Sequence, residues 1–564
     1  MKRDVYGHRI LPLLLLPFAA AHAQTVPDAG SLRQQIERDR APALPRKALP
    51  ERPAEPAAMK PLAGASITVT GFGFTGNTLI GSDRLAQAVA SYINRPLVFA
   101  QLQEATAAVA SVYREAGWIV RAYLPEQDIV GGIVTIQVVE AVFGGVRLEG
   151  REPLRLRLDY VLRLFDAQQK TGEPLNANAI DRALLLAEDL PGVGVTGSLA
   201  EGAKKGESEL VIKIADRPLL SGDAALDNTG SRSTGRERIA VNASLASPLG
   251  FGDLISANAM HTEGSDYLRV GGTFPIGANG WRAGVNGSHM GYKLVAPEFL
   301  ALGGKGSSDT VGVDATYPIV RSRLKNVYFN TGFERKAFDN LSGGAVTTRY
   351  KADTLTLGLN ANLFDSLWGG GANSASVSLV MGNLHLDGSP NQAADAVTAR
   401  TAGRYAKVRY AASRQQVLTP ELSLYAALSG QQAGKNLDSS EKFYLGGASG
   451  VRAYPSSEGG GANGRLFNLE LRWRLPRGFG LTGFYDYGAV TVNRNNGFTG
   501  APVLNDFSLK GGGLSLAWLS TGGLNVKGTW ARRVGGNPNP TTAGNDQDGT
   551  LVMNRWWLSA GLAF

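Results

Sequence analysis

Residues 354–363 read Thr-Leu-Thr-Leu-Gly-Leu-Asn-Ala-Asn-Leu. Leu355, Leu357, Leu359, Ala361 and Leu363 alternate with Thr354, Thr356, Gly358, Asn360 and Asn362. Successive side chains of a strand point to opposite faces, so this stretch has one apolar face and one polar face. The pattern recurs where Phe467, Leu469, Leu471 and Trp473 alternate with Asn468, Glu470, Arg472 and Arg474. A soluble sandwich would turn the apolar face to its core, and a membrane barrel would turn it to lipid. Local pattern does not separate the two.

Segment count and connection length do. Sixteen such segments run from 220–228 to 550–564, most of them long enough to cross a bilayer at about 9–11 tilted residues. Connections alternate long and short. The long class includes 290–308, 337–352, 387–401, 433–463, 494–506 and 535–549, with 229–235 and 263–265 as brief members. The short class includes 247–252, 275–280, 321–324, 366–372, 416–420, 475–479 and the Ser520-Thr521 turn. An even number of strands, with one rim of loops and one of tight turns, describes an outer-membrane barrel. Residues 219–564 are therefore expected to form a 16-stranded transmembrane antiparallel β-barrel, giving a membrane all-β class. Trp556, Leu558, Ala560, Leu562 and Phe564 share a face of the last strand, and the terminal aromatic suits an interfacial girdle.

The chain before residue 219 is organised differently. Lys2 and Arg3 precede an apolar run, Ile10 to Ala21, closed by Ala21-His22-Ala23. This reads as a signal peptide over 1–23, too short to be a membrane anchor. Residues 24–40 contain a helical segment that Asp28 or Ser31 can cap. Only Leu32 and Ile36 are apolar on it, so it has little to bury unless it docks in polar surroundings. A proline-rich linker over 41–66 would reach about 80 Å at roughly 3.1 Å per residue.

Residues 67–141 read as β-α-α-β-β. A strand at ITVTGFGF is followed by SDRLAQAVASYI, by a second helix from Phe99 to Ala116, and by strands Ile119–Tyr123 and Ile133–Val139. Residues 142–218 repeat the order loosely, with helices around Leu156 to Phe165 and Ala177 to Asp189. Gly71-Phe72-Gly73-Phe74-Thr75-Gly76 has the spacing of a dinucleotide fingerprint. It lacks the βαβ context and the downstream acid, so it reads as a structural turn.

Several functions are disfavoured. The 564 residues include no cysteine, so disulfides and thiolate metal sites are absent. His8 and His22 lie in the leader, and His261, His289 and His385 are scattered singly, so no metal site is expected. A net charge of +9 arises from basic residues dispersed among acids, which does not indicate nucleic acid. There is no G-x-S-x-G and no Walker A sequence, so the chain reads as a non-enzyme with no cofactor.

Five stretches resemble the outer-membrane transporters of two-partner secretion, of the haemolysin-activator type. FGFTGNTL with VYREAGWIVRAYLPEQDIVGGIVTIQVVEA resembles the first polypeptide-transport-associated (POTRA) domain of that family, and EDLPGVGVTGSLAEGAKKGESELVIKI the end of the second. LDNTGSRSTGRERIAVNASLASPLGFGDL resembles the barrel entry, and GGASGVRAYP the sixth outer loop. The resemblance implies that two periplasmic POTRA domains, at 67–141 and 142–218, capture the unfolded N-terminal domain of a large exoprotein. The barrel would pass the exoprotein to the cell surface without ATP, and the helix in 24–40 would plug the resting pore. It implies client contacts at Phe74, Asn77, Tyr113, Gly117, Pro125 and Gln127. It also implies a loop motif, Val451, Arg452, Ala453 and Tyr454, paired with F-x-D-x-G at Phe484, Asp486 and Gly488. The family motif has glycine where Ala453 stands, which narrows the allowed backbone there. Asp486 shares parity with Phe484 and Gly488, opposite Leu481, Tyr485 and Tyr487, so it faces the lumen. A monomer embedded in outer-membrane lipid is implied. A passive porin leaves the tandem arm unused, and an insertase is the other alternative that the same superfamily offers.

Overall fold

A computed structural model describes residues 26–39, 66–204 and 206–564. The signal peptide expected over 1–23 and nearly all of the 41–66 linker lie outside the described residues, as do residues 24, 25 and 40.

One closed antiparallel barrel of sixteen strands occupies the C-terminal part. Its strands are β1 (Leu220–Asp227), β2 (Arg238–Ala246), β3 (Leu254–Thr262), β4 (Ser265–Ile276), β5 (Trp281–Lys293), β6 (Lys305–Arg321), β7 (Lys325–Ser342) and β8 (Ala345–Asp365). They continue as β9 (Gly371–His385), β10 (Gly403–Val417), β11 (Leu422–Ala433), β12 (Asn463–Arg474), β13 (Phe479–Thr491), β14 (Asp506–Leu519), β15 (Leu524–Arg533) and β16 (Asn554–Ala563). Leu268, Val270, Val285, Val311, Leu355, Leu357, Leu359 and Trp556 stand exposed on the outer face. The intervening positions point inward, so the wall is apolar outside and polar inside.

The ring closes where β16 meets β1, over a short register from Ser559↔Asp227 to Ala563↔Asp223. Asn228 extends the seam: its Nδ2 donates to Trp556 O at 3.2 Å and its Oδ1 accepts from Leu558 N at 2.8 Å. Phe564 and Gly222 exchange backbone hydrogen bonds at 3.0 and 2.9 Å at the other end.

Strands β6, β7 and β8 run to 17, 18 and 21 residues, longer than the alternation predicts. The long connection expected at 337–352 is instead the top of the β7–β8 hairpin, turning at Gly343-Gly344 with φ of +58° and +83°. The reason is packing from within. Phe338, Tyr350 and Ala352 are buried inside the barrel, whereas Asp339 and Arg349 pair on its outer surface. Above the lipid both strand faces need not alternate in polarity, so the sequence there resembles a loop.

The two N-terminal units have the expected helices, now labelled α2 (Ser82–Val89), α3 (Phe99–Glu115), α4 (Leu158–Gln168) and α5 (Ala177–Glu188). The single strand expected from Ile67 is two: Ser66–Val69 pairs with Arg95–Val98, and Gly71–Thr75 lies parallel to Ile133–Glu140. Strand Arg95–Val98 was not foreseen, because a four-residue run containing proline carries no alternation. Gly71 and Gly73 lie in a strand, and Gly76 turns at φ +78°, where a Cβ would collide with Val138 O.

The units join through backbone hydrogen bonds: Ile119 N to Leu175 O at 3.1 Å, Leu175 N to Ala141 O at 2.8 Å, and Ala177 N to Gly117 O at 2.8 Å. The second unit docks on the short-turn rim. Asp189 makes a bidentate pair with Arg321 at 2.7 Å per bond, Tyr160 Oη donates to Gly277 O at 2.9 Å, and Arg182 donates to Pro318 O at 2.8 Å.

Glu140 ties the first unit together. It accepts from Thr78 N at 2.8 Å, Leu79 N at 2.9 Å and Tyr113 Oη at 3.0 Å. Partial burial alone would raise its carboxyl, but these hydrogen bonds outweigh that and hold it below the usual range. A depressed folded-state value stabilises above the unfolded value, and that stability is lost as pH falls through the folded one. Amide protection of 66–141 is therefore expected to weaken below about pH 4. Glu140→Gln should lower stability at neutral pH by about 1 kcal/mol and remove that acid dependence, as hydrogen exchange across pH would measure.

Candidate functional site

The connection between β11 and β12, residues 434–462, folds back into the barrel instead of standing outside it. Val451 N donates to Leu445 O at 2.8 Å, Tyr454 N to Val451 O at 3.0 Å, and Gly446 N to Glu458 O at 3.0 Å. Glycines permit this compaction: Gly447 sits at φ +104°, and a Cβ on Gly450 would overlap Leu445 O. Leu445, Val451, Ala453 and Tyr454 have no exposed surface and pack with Leu466, Phe484, Val490, Leu509 and Ala531.

Arg452 meets Asp486, as the motif reading expects. The backbone N donates to Asp486 Oδ2 at 3.0 Å, Nε to the same oxygen at 2.9 Å, and Nη2 to Oδ1 at 2.6 Å. Its guanidinium carbon lies 3.5 Å from the Phe484 ring centroid. Gly488 is needed by close approach, because a Cβ there would lie 2.9 Å from Leu445 Cδ2 and 3.0 Å from Val451 Cγ2.

The tip has partners that the motifs do not contain. Arg452 Nη1 donates to Glu470 Oε1 at 2.7 Å, and Asn468 Nδ2 donates to Asp486 Oδ1 at 2.7 Å. Strand parity already placed Glu470 and Asn468 with Arg472 on the polar face, so a search along that face finds them. Trp557 Nε1 donates to Arg452 O at 2.8 Å and Arg533 Nε to Ala453 O at 3.3 Å. No local signal announces these two, which come from strands on the far side of β14.

Ala453 takes a negative φ, so alanine in place of glycine carries no backbone strain. Its methyl fills space left by a second glycine, since a Cβ on Gly511 would lie 2.5 Å from Ala453 Cβ. The tip is therefore retained with a compensating pair, Ala453 and Gly511. Tyr454 donates through Oη to Gly536 O at 3.3 Å and stacks under Arg533 at 4.5 Å.

Helix α1 (Ala29–Asp39) lies beside this loop inside the barrel. Asp28 Oδ1 accepts from Ser31 N at 2.8 Å and caps it. Ala29, Leu32 and Ile36 pack on Tyr267, Met290, Tyr292, Phe338 and Tyr350 of the inner wall. The polar side is paired as well: Asp39 with Arg238 at 2.9 Å, and Arg38 donating to Tyr444 O at 2.7 Å and Gly446 O at 2.6 Å. A helix with so thin an apolar stripe holds because every face meets a matching wall.

The six positions expected to contact a client all make contacts within the arm. Tyr113 is fully buried with its hydroxyl on Glu140. Gly117 is buried at φ +87° against Asn176 and Asn178, at the junction of the two units. Asn77 Nδ2 donates to Ile80 O at 3.0 Å and to Ser82 Oγ at 3.1 Å, ahead of α2. Gln127 is spent on Thr135, donating at 2.8 Å and accepting at 2.7 Å, and also donates to Pro125 O at 3.3 Å. Phe74 packs at the margin of the first unit's core.

A closed sixteen-stranded barrel holding an inward loop and a helix, with a tandem α+β arm on its turn rim, defines an outer-membrane polypeptide transporter. The family model for haemolysin secretion/activation proteins of the ShlB/FhaC/HecB type matches residues 206–516, more than half of the chain, and the chain belongs to that family. The model for POTRA domains of the ShlB type matches residues 67–141. The heme/hemopexin transporter protein HuxB of Haemophilus influenzae is 27% identical over 460 residues, 80% of each chain. The outer membrane transporter CdiB of Dickeya dadantii is 23% identical over 423 residues, 73% of each. The structure of CdiB from Escherichia coli shares the fold with a TM-score of 0.72 at 20% identity, covering 94% of this chain and 95% of that one. The protein is an outer-membrane transporter of two-partner secretion, with its arm in the periplasm.

Removing one member of a buried ion pair strands the other, at a cost of about 3–5 kcal/mol. Arg452→Ala or Asp486→Ala is expected to abolish most export, while the heat-modifiable barrel persists in the outer membrane on gels. Gly511→Ala should weaken export by crowding Ala453, and adding Ala453→Gly should restore it, as the amount of partner in the medium would report.

Proposed function

We propose that the family's transport of large exoproteins is carried out here by three parts with separate tasks. The arm receives the unfolded N-terminal domain of one large secreted partner. The loop, anchored through Arg452 and Asp486, braces the lumen, and α1 plugs it at rest. The observation that carries the plug reading is the seating of α1, whose apolar stripe and charged ends both find partners on the inner wall. Binding by the arm follows from its exposed strand edges, Gly71–Thr75 and Val193–Glu201, which end their sheets and suit pairing with an extended chain.

The chain works as a monomer in outer-membrane lipid. A single sheet closed on itself leaves no barrel edge to pair with another copy, and the belt of outward Leu and Val meets acyl chains. Transport proceeds without nucleotide and without a catalytic group.

Deleting residues 24–40 is expected to raise single-channel conductance in planar bilayers several-fold, since an α-helix with side chains, about 10–12 Å across, is removed from the lumen. Unchanged conductance would remove the plug from this scheme and leave the transporter reading intact.

A further inference from the structure

The inward loop is held at a second place, remote from its tip. Glu441 ends the short turn Ser439–Glu441 on the rising limb and is 1% exposed. Its Oε2 lies 2.6 Å from Lys407 Nζ and its Oε1 3.0 Å from Lys336 Nζ. Its carbonyl oxygen accepts from Lys407 Nζ at 2.7 Å and from Gln431 Nε2 at 2.9 Å. Side chain and backbone of one residue are thus fixed by β7, β10 and β11. The tip uses β12, β13, β15 and β16. Lys407 has no exposed side-chain surface, so its charge has this carboxylate instead of water. Such a pair offsets its desolvation only while it is intact.

Helix α1 rests on this limb. Gly30 lies so close that a Cβ there would approach Ser439 Oγ to 2.7 Å and Ser440 N to 2.8 Å. Ser439 Oγ donates to Asp28 Oδ2 at 2.6 Å, and Gln34 Nε2 donates to Ser440 O. Asp438, the residue before the turn, accepts from Tyr350 Oη at 2.8 Å and from Ser440 N at 2.9 Å. With Arg38 on Tyr444 O and Gly446 O, α1 thus contacts residues on either side of Glu441.

We propose that Glu441 is a positioning residue of the resting channel: its ion pair with Lys407 holds the rising limb of the loop as the seat of α1, independently of the Arg452–Asp486 anchor. The consequence of the seat for conductance rests on the plug reading above, but the seat itself does not. Breaking Glu441–Lys407 frees the limb and lets α1 leave, while the tip stays on β13.

The chain has no cysteine of its own, so a thiol introduced by Gln35→Cys, at a buried position on α1, reports the seat directly. In the full-length protein in bilayers, Glu441→Gln is expected to speed reaction of that thiol with a water-soluble maleimide on the order of tenfold. Conductance should also move toward that of the chain lacking 24–40. Glu441→Gln strands Lys407, whereas Lys336 keeps Glu334 at 3.4 Å, so the double variant Glu441→Leu/Lys407→Met provides an arm without an orphaned lysine, and it should react equally fast. A wild-type labelling rate in either variant, with the barrel still heat-modifiable, would overturn the proposal. If labelling accelerates and conductance does not change, the seat stands and the plug falls. Labelling unchanged in a channel that deletion of 24–40 does open would overturn the seat and keep the plug.

Discussion

Hydrocarbon offers the backbone no hydrogen-bonding partner, and the architecture depends on that constraint. Every strand N–H and C=O must pair with a neighbouring strand, so the sheet has to close. The seam at β16 and β1 is its shortest register, and Asn228 and Phe564 lengthen it with hydrogen bonds beyond the ladder. Closure turns the apolar face of each strand outward and leaves a lumen lined with polar and charged side chains.

That lumen is where function is arranged. Ions buried there have few waters, so the loop's charged groups are held by partners of opposite charge and by hydrogen bonds. Arg452 with Asp486 and Glu470 forms one such cluster, and Glu441 with Lys407 and Lys336 forms another. Together they carry a 29-residue connection, 434–462, across the inside of the barrel. Helix α1 adds its own pairs to the loop and to β2, so helix, loop and wall form one network. In the proposed plug role such polar contacts serve better than an apolar core, because each polar group would find water on separation.

Outside the membrane the arm obeys ordinary globular rules. The two units have apolar cores of their own, are joined by backbone hydrogen bonds, and meet the barrel through Asp189 with Arg321. Residues that resemble family sequence there, among them Tyr113, Gly117 and Gln127, preserve the fold of the unit. Similarity in that stretch therefore reports structure first.

Alternation such as that at 354–363 determined the strands and the inward parity of Asp486, because a period of two is written into consecutive residues, and the count of segments with their alternating long and short connections determined the barrel. Tertiary structure decided the rest, for reasons that sequence order does not contain. Residues 337–352 are strand because α1 packs beneath them. Residues 95–98 are strand because Ser66–Val69 lies alongside. Ala453 is tolerated because Gly511, 58 residues later, leaves room for its methyl. Trp557 and Arg533 reach the tip because closure brings the last strands round to the loop. Contacts of this kind depend on which residues become neighbours in space, and only the folded chain brings them together.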